Sequence, residues 1–331
     1  MSILMTIAGA FLVLLVWFDF VATALTASQS GPVSRRVAYG VWRVFLFINK
    51  PFKSHALLAC VGPLIIIVLI NMWVSVVWLG WSLIYLGAEA PVLNGTTLLP
   101  ADISSTIYFV GFTLTTLGTG DYVPADGFWQ AMTVITAFNG IALITLSITY
   151  AIPVVQAAAA KRTVARQIAV MGESAEALAA QWAEAGHYQG VDTYFSDLTP
   201  QILDISQKHL AYPILHFFHS PEPDTALPLK LAALDEAILA LPAEAYEVNP
   251  ALRVAEHMCS NAISTFLNTL NKAFIHPADE EPPQILPQRL RKGTAKKVGS
   301  EREPEALSRR RKLLKALILQ DGWTWNQIAK G

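Results

Sequence analysis

Cysteine is nearly missing from this 331-residue chain: Cys60 and Cys259 are the two present. One stands in an apolar run and the other in a later, more polar half, so neither a disulfide framework nor a zinc spacing is available. Lysine and arginine are absent from residues 87–127, although Glu89, Asp102, Asp121 and Asp126 all fall there. No GxGxxG opens a strand–helix unit, which excludes a Rossmann module, and no strand-rich run offers an immunoglobulin-like or cyclic-nucleotide-binding domain. No nucleophile, base and orienting group recur in one setting, so the chain is not expected to be an enzyme and no organic cofactor is expected. Charge of any kind is scarce, at 15% of residues.

What is present instead is apolar. Hydrophobic residues make up 53% of the chain and the mean hydropathy is +0.41, too high for an ordinary soluble protein. Residues 3–27, 57–86 and 128–157 form runs long enough to cross a hydrocarbon core of about 30 Å, which needs roughly 20 helical residues. Arg35, Arg36, Arg43, Lys50 and Lys53 lie between the first two runs with no acid among them, so that loop is expected in the cytoplasm and the acidic segment 87–127 outside. The amino terminus is then external, and Lys161, Arg162 and Arg166 keep everything after the third run cytoplasmic, as in a multi-pass protein of a prokaryotic inner membrane. A cleaved signal peptide is the competing reading of residues 1–27, but no basic residue precedes their apolar run.

Between the second and third runs lies DISSTIYFVGFTLT, residues 102–115. It is apolar but too short to cross, so a re-entrant half-helix entering from outside is expected. TTLGTGD, residues 115–121, follows at once. Irregular backbone at membrane depth is tolerated where it is buried in protein or lines water. Successive carbonyls can replace a cation's hydration shell if all point to one side, which calls for positive φ and therefore for glycines such as Gly118 and Gly120. The Thr116 hydroxyl can add a ligand below the carbonyls, and the carboxyl end of the half-helix directs negative potential at the path. These features favour cations.

Helix, half-helix, TTLGTGD and helix together resemble the pore domain of the potassium channel family over residues 57–157. The resemblance implies a homotetramer, with K+ as the permeant ion held by oxygens of Thr116, Leu117, Gly118 and Thr119. Gly120 would then allow the turn outward, and Asp121 would sit behind the filter mouth. Tyr108, Phe109 and Thr115 would support the filter from the pore helix. Thr119 stands where the family usually carries tyrosine or another aromatic, and it is not expected to reach Tyr108 or Phe109 as that ring does. Sodium is therefore expected to be excluded less sharply than in relatives with tyrosine.

Gly140 interrupts the third run and has two readings, a bending hinge or close packing against the second run. Thr145 and Thr149 share a face that can line a cavity below the filter, and Pro153 is expected to kink the cytoplasmic end. Asp19, in the first run, is either functional or a paired group near the cytoplasmic side. The stretch VAYGVWRVFLFINKPFK mixes aromatic and basic residues like an interfacial helix, and is similar to the slide helix of inward rectifiers.

The fold class expected is an all-α membrane protein. Its parts are an additional amino-terminal helix (1–27), a cytoplasmic loop with the interfacial helix (28–56), a tetrameric pore (57–157), an all-α regulatory domain (158–288) and a basic amphipathic tail (289–331). His209, His216 and His219 are close enough along the chain for a metal or proton sensor, or for a packed, hydrogen-bonded set. Residues 167–288 carry a net charge of −12 and residues 289–315 a net of +8. The tail is expected to dock on an acidic neighbour or to bind anionic lipid, with nucleic acid disfavoured. A weakly selective monovalent cation channel, a potassium transporter subunit and a signalling receptor with a vestigial pore are the alternatives.

Overall fold

The computed structural model describes residues 3–26, 30–184, 188–272, 274–286 and 304–329. The chain divides into two compact units, one drawn from residues 1–41 and 63–154, the other from residues 42–62 and 155–331.

In the first unit, α1 (Ile3–Ala24), α4 (Val61–Leu86) and α6 (Gly127–Met171) are the long apolar helices. Among the described residues, three helical segments are long and apolar enough to cross a membrane, at 22, 32 and 45 residues, the second of them counted from His55. Between α4 and α6 lie β1 (Val92–Asn94), α5 (Ile103–Leu114) and β2 (Tyr122–Pro124). The two strands pair antiparallel, the one departure from an all-α fold among the described residues.

One expectation changes here, and one open reading is resolved. The last apolar helix does not end near residue 157. It continues through Pro153 to Met171, and at 1.5 Å per residue it is about twice as long as a bilayer core is thick. Its distal part remains helical because Ala157, Ala158, Lys161, Val164, Ala165 and Ile168 recur at three- and four-residue spacing and are buried in the second unit. Asp19, for its part, is a paired group. Its carboxylate accepts from the amides of Val33 (2.8 Å) and Ser34 (3.2 Å), from the Ser34 hydroxyl and from the Trp73 indole (3.0 Å). The two amides open α2 (Pro32–Phe52), so a carboxylate inside α1 satisfies the orphan donors of the next helix.

The second unit takes in the distal half of α2, α3 (His55–Ala59) and the distal part of α6. Its further helices are α7 (Ala175–Glu184), α8 (Val191–Ala211), α9 (Leu227–Leu239), α10 (Ala243–Val248), α11 (Ala251–Asn271) and α12 (Pro304–Gln320). Residues 227–238 of α9 are all buried, so this helix forms the centre. A helix apolar on every side would suffice for that. This one, however, carries Asp235 and Glu236 into the core.

Those two acids explain the carboxy-terminal helix. Arg310 pairs with Asp235, and Arg311 donates to Glu236 at 2.7 Å. Leu313, Leu314, Leu317 and Ile318 of α12 are buried in the same core. The expectation of a tail docked on a neighbour or on lipid is therefore corrected for residues 304–329. They are part of their own domain, because two buried carboxylates can be desolvated there only with cations supplied from elsewhere in the chain. The preceding basic residues, 289–303, lie outside the described residues.

His209 and His216 follow the packed reading. His209 is buried, with Nδ1 3.0 Å from the Ile205 carbonyl oxygen and its ring edge-on to Phe266. Burial, with Lys161 adding to it, pushes His209 down to about 3. His216 stacks on Phe274 and is pushed down to about 4 by the same causes. Among the described residues no three His, Cys, Asp or Glu side chains are grouped to hold a metal ion.

Candidate functional site

The half-helix α5 starts where a short polar side chain can cap it: Asp102 accepts from the Ser105 amide at 2.7 Å. It stops at Thr115, whose hydroxyl donates back to the Gly111 carbonyl at 3.0 Å. Beyond it the Thr116 amide donates to Thr113 (3.1 Å) and the Leu117 amide to Phe112 (2.8 Å), so the next segment is tied to the helix end. From there φ is positive at every second residue: Thr116 (57°), Gly118 (58°) and Gly120 (82°). Alternation of left- and right-handed backbone turns successive carbonyls to one side, as a cation path requires. Threonine in this region is strained, and such strain persists where surrounding contacts fix it. Residues 115–121 are all exposed in the single chain.

A wall of aromatic and hydroxyl groups stands behind this segment. The Tyr108 hydroxyl donates to Thr119 Oγ1 at 3.5 Å, a long bond. The Tyr108 ring lies edge-on to Tyr122, 6.3 Å between centroids, and the Tyr122 hydroxyl accepts from Ser105 at 2.7 Å. The expectation that Thr119 lies out of reach of Tyr108 is thus corrected: threonine is short, but the pore-helix tyrosine extends to it. Phe109 does not join them, since it is buried against Tyr85 and Phe112. Past this segment β1 and β2 pair Val92 with Pro124 and Asn94 with Tyr122, and the Gly95 amide donates to the Asp121 carbonyl at 2.8 Å. The ribbon holds the chain just after TTLGTGD.

Residues 65–157 match a family model described as an ion channel. Over 284 residues the chain is 31% identical to the uncharacterized membrane protein YdjJ of Bacillus subtilis (strain 168), covering 84% of this chain and 81% of that protein. The chain belongs to the family of this membrane protein. It is an ion channel and not an enzyme. No solved structure matches it significantly.

The remaining positions of the channel are placed as follows. A Cβ on Gly140 would overlap the Leu114 carbonyl oxygen and come within 2.7 Å of its carbon. Of the two readings of Gly140, close packing is the one seen, and the partner is the end of α5 rather than the second apolar helix. Thr145 and Thr149 are both exposed, and Thr149 donates to the Thr145 carbonyl at 2.9 Å. Ser105, Tyr122 and the β-ribbon are site features that sequence reasoning missed. The ribbon joins segments on either side of α5, so no local turn signal marks it in the sequence.

Proposed function

We propose that four copies of the chain assemble around TTLGTGD as a passive, potassium-selective channel of a prokaryotic inner membrane, with the segment after α6 in the cytoplasm. The alternating positive φ at Thr116, Gly118 and Gly120 carries this reading, because it is the backbone condition for a column of carbonyl ligands. One column cannot surround an ion, and four are needed for a ring. Leu117 at 67% exposure and Phe138 at 70% leave apolar surface uncovered in the single chain, which neighbouring copies and lipid would cover. The second reading, a weakly selective monovalent cation channel, is favoured by the length of the Tyr108–Thr119 bond, 3.5 Å where about 2.7 Å is usual between hydroxyls.

The test is ion flux into liposomes containing the purified protein, with native mass spectrometry of the same preparation in detergent. Potassium uptake without an energy source, from a tetramer, is expected. A stable dimer or pentamer, or no flux of any monovalent cation, would refute the proposal. Equal potassium and sodium flux would leave the second reading standing in its place.

A further inference from the structure

The second unit holds a histidine pair just before α4. Asn49 accepts from the Ser54 amide at 2.9 Å, and Ser54 in turn accepts from the Leu57 amide at 3.3 Å, capping α3. His55 opens this short helix, which leads directly into α4. Its ring stacks on Trp323 with centroids 3.7 Å apart and planes 10° from parallel. Its Nδ1 lies 3.1 Å from Nε2 of His219. His219 is fully buried, and its Nδ1 is 3.4 Å from a carboxylate oxygen of Asp321. Leu58, one turn on, is buried against Gly322.

The charged and titratable groups around the pair come from each element packed there. From α6, Lys161 donates to the Phe218 carbonyl at 2.8 Å and Arg162 to the His219 carbonyl at 3.3 Å. Asp321 comes from the turn after α12, and His216 from the 3-10 turn Pro213–Phe217, its ring turned onto Phe274. Asp321 is the one carboxylate within ion-pair distance of the pair among the described residues.

Two ring nitrogens 3.1 Å apart share a single proton, one donating and the other accepting. The pair can carry one positive charge, balanced by Asp321, and keep that bond. It cannot carry two, because two N–H groups would then face each other across 3.1 Å, one of them on the buried His219. We propose that His55 and His219 form a proton-sensitive latch, which holds the turn ahead of α4 on the carboxy-terminal turn at neutral pH and releases it in acid.

The sign follows from proton counting. Released histidines titrate near pH 6.5 and bind two protons in acid, whereas the latched pair binds one. Release therefore takes up about one proton, and latching weakens about tenfold for each pH unit below about 6.5. It is fully present above that value.

Hydrogen exchange of the full-length protein in nanodiscs at pH 7.5 and 5.5, corrected for the intrinsic pH dependence of exchange, tests this without reference to conduction. Peptides covering residues 55–60 and 321–325 should lose protection about tenfold at pH 5.5, while α11 keeps its own. His55→Phe preserves the stack on Trp323 and removes the shared proton, so its protection should no longer depend on pH in this range. His55→Gln, which cannot be protonated either, should behave likewise. Unchanged wild-type protection of 55–60 at pH 5.5, a loss shared equally by α11, or the wild-type pH dependence in both variants would each overturn the latch.

Discussion

Replacing Gly140 with alanine separates a hinge from a packing contact. Alanine is the better helix former by about 1 kcal/mol, so a glycine kept only for flexibility would yield a stiffer and more stable channel. The geometry demands the reverse. The new Cβ would stand 2.7 Å from the Leu114 carbonyl carbon and 2.8 Å from its Cα, whereas carbon atoms rest about 3.5–4.0 Å apart. The end of α5 and α6 must therefore separate by about 1 Å. The displaced group is backbone, which cannot swing aside as a side chain can, and overpacking of this kind costs about 1–3 kcal/mol. Leu114 directly precedes TTLGTGD, so the same shift misplaces Thr115 and Thr116. The assay is the thermal midpoint of the detergent-solubilised protein followed by size exclusion, with liposome flux alongside. A midpoint lower by a few degrees and reduced flux are expected. An equal or higher midpoint with altered gating would show that the glycine serves as a hinge and that the packing argument is wrong.

Tyr108→Phe and Thr119→Val each remove one side of the hydroxyl bond behind the filter; both should move the reversal potential under potassium inside and sodium outside towards zero, and the double variant no further than either alone. Thr119→Ser keeps the acceptor and should match the wild type, so a wild-type reversal potential in Tyr108→Phe would dismiss the bond as a prop. Arg310→Ala strands Asp235 in the core and should destabilise the second unit by about 3–5 kcal/mol, whereas Arg310→Met with Asp235→Leu should cost far less; equal losses measured by denaturant titration would contradict a buried-charge origin. His216 and His209 are held down to about 4 and about 3, so the folded unit binds fewer protons than the unfolded chain below pH 6.5. Stability should be complete above that pH and fall as acid is added, until it levels near those values. His216→Phe should flatten that fall by about 1.4 kcal/mol per pH unit, and an unchanged slope in thermal melts across pH 7 to 5 would count against it.

Spacing and composition sufficed to place irregular backbone at TTLGTGD. Glycines at alternate positions after a 12-residue helix permit positive φ, which Gly118 and Gly120 adopt, whereas the positive φ of Thr116 was not legible from residue type. Apolar run length likewise identified the three helices long enough to cross a bilayer, since a bilayer imposes a length on any chain. The end of the last helix was not legible, because beyond residue 157 the stripe that keeps it helical is alanine-rich and interrupted by Lys161, a pattern that reads as surface until its partner is known.

Side-chain partnerships were decided by tertiary structure alone. Thr119 reads as too short to be propped, and only the placement of Tyr108 shows which residue does the reaching. Gly140 reads equally as hinge or contact until Leu114 is seen against it. Arg310 and Arg311 read as part of a tail for an acidic neighbour or lipid, yet Asp235 and Glu236 of their own domain bury them. Local sequence sets backbone conformation and the side a residue prefers, because those depend on neighbours along the chain. Which groups share a proton, a charge or a contact depends on segments far apart in sequence, as His55 and His219 are, and only the folded chain brings them to 3.1 Å.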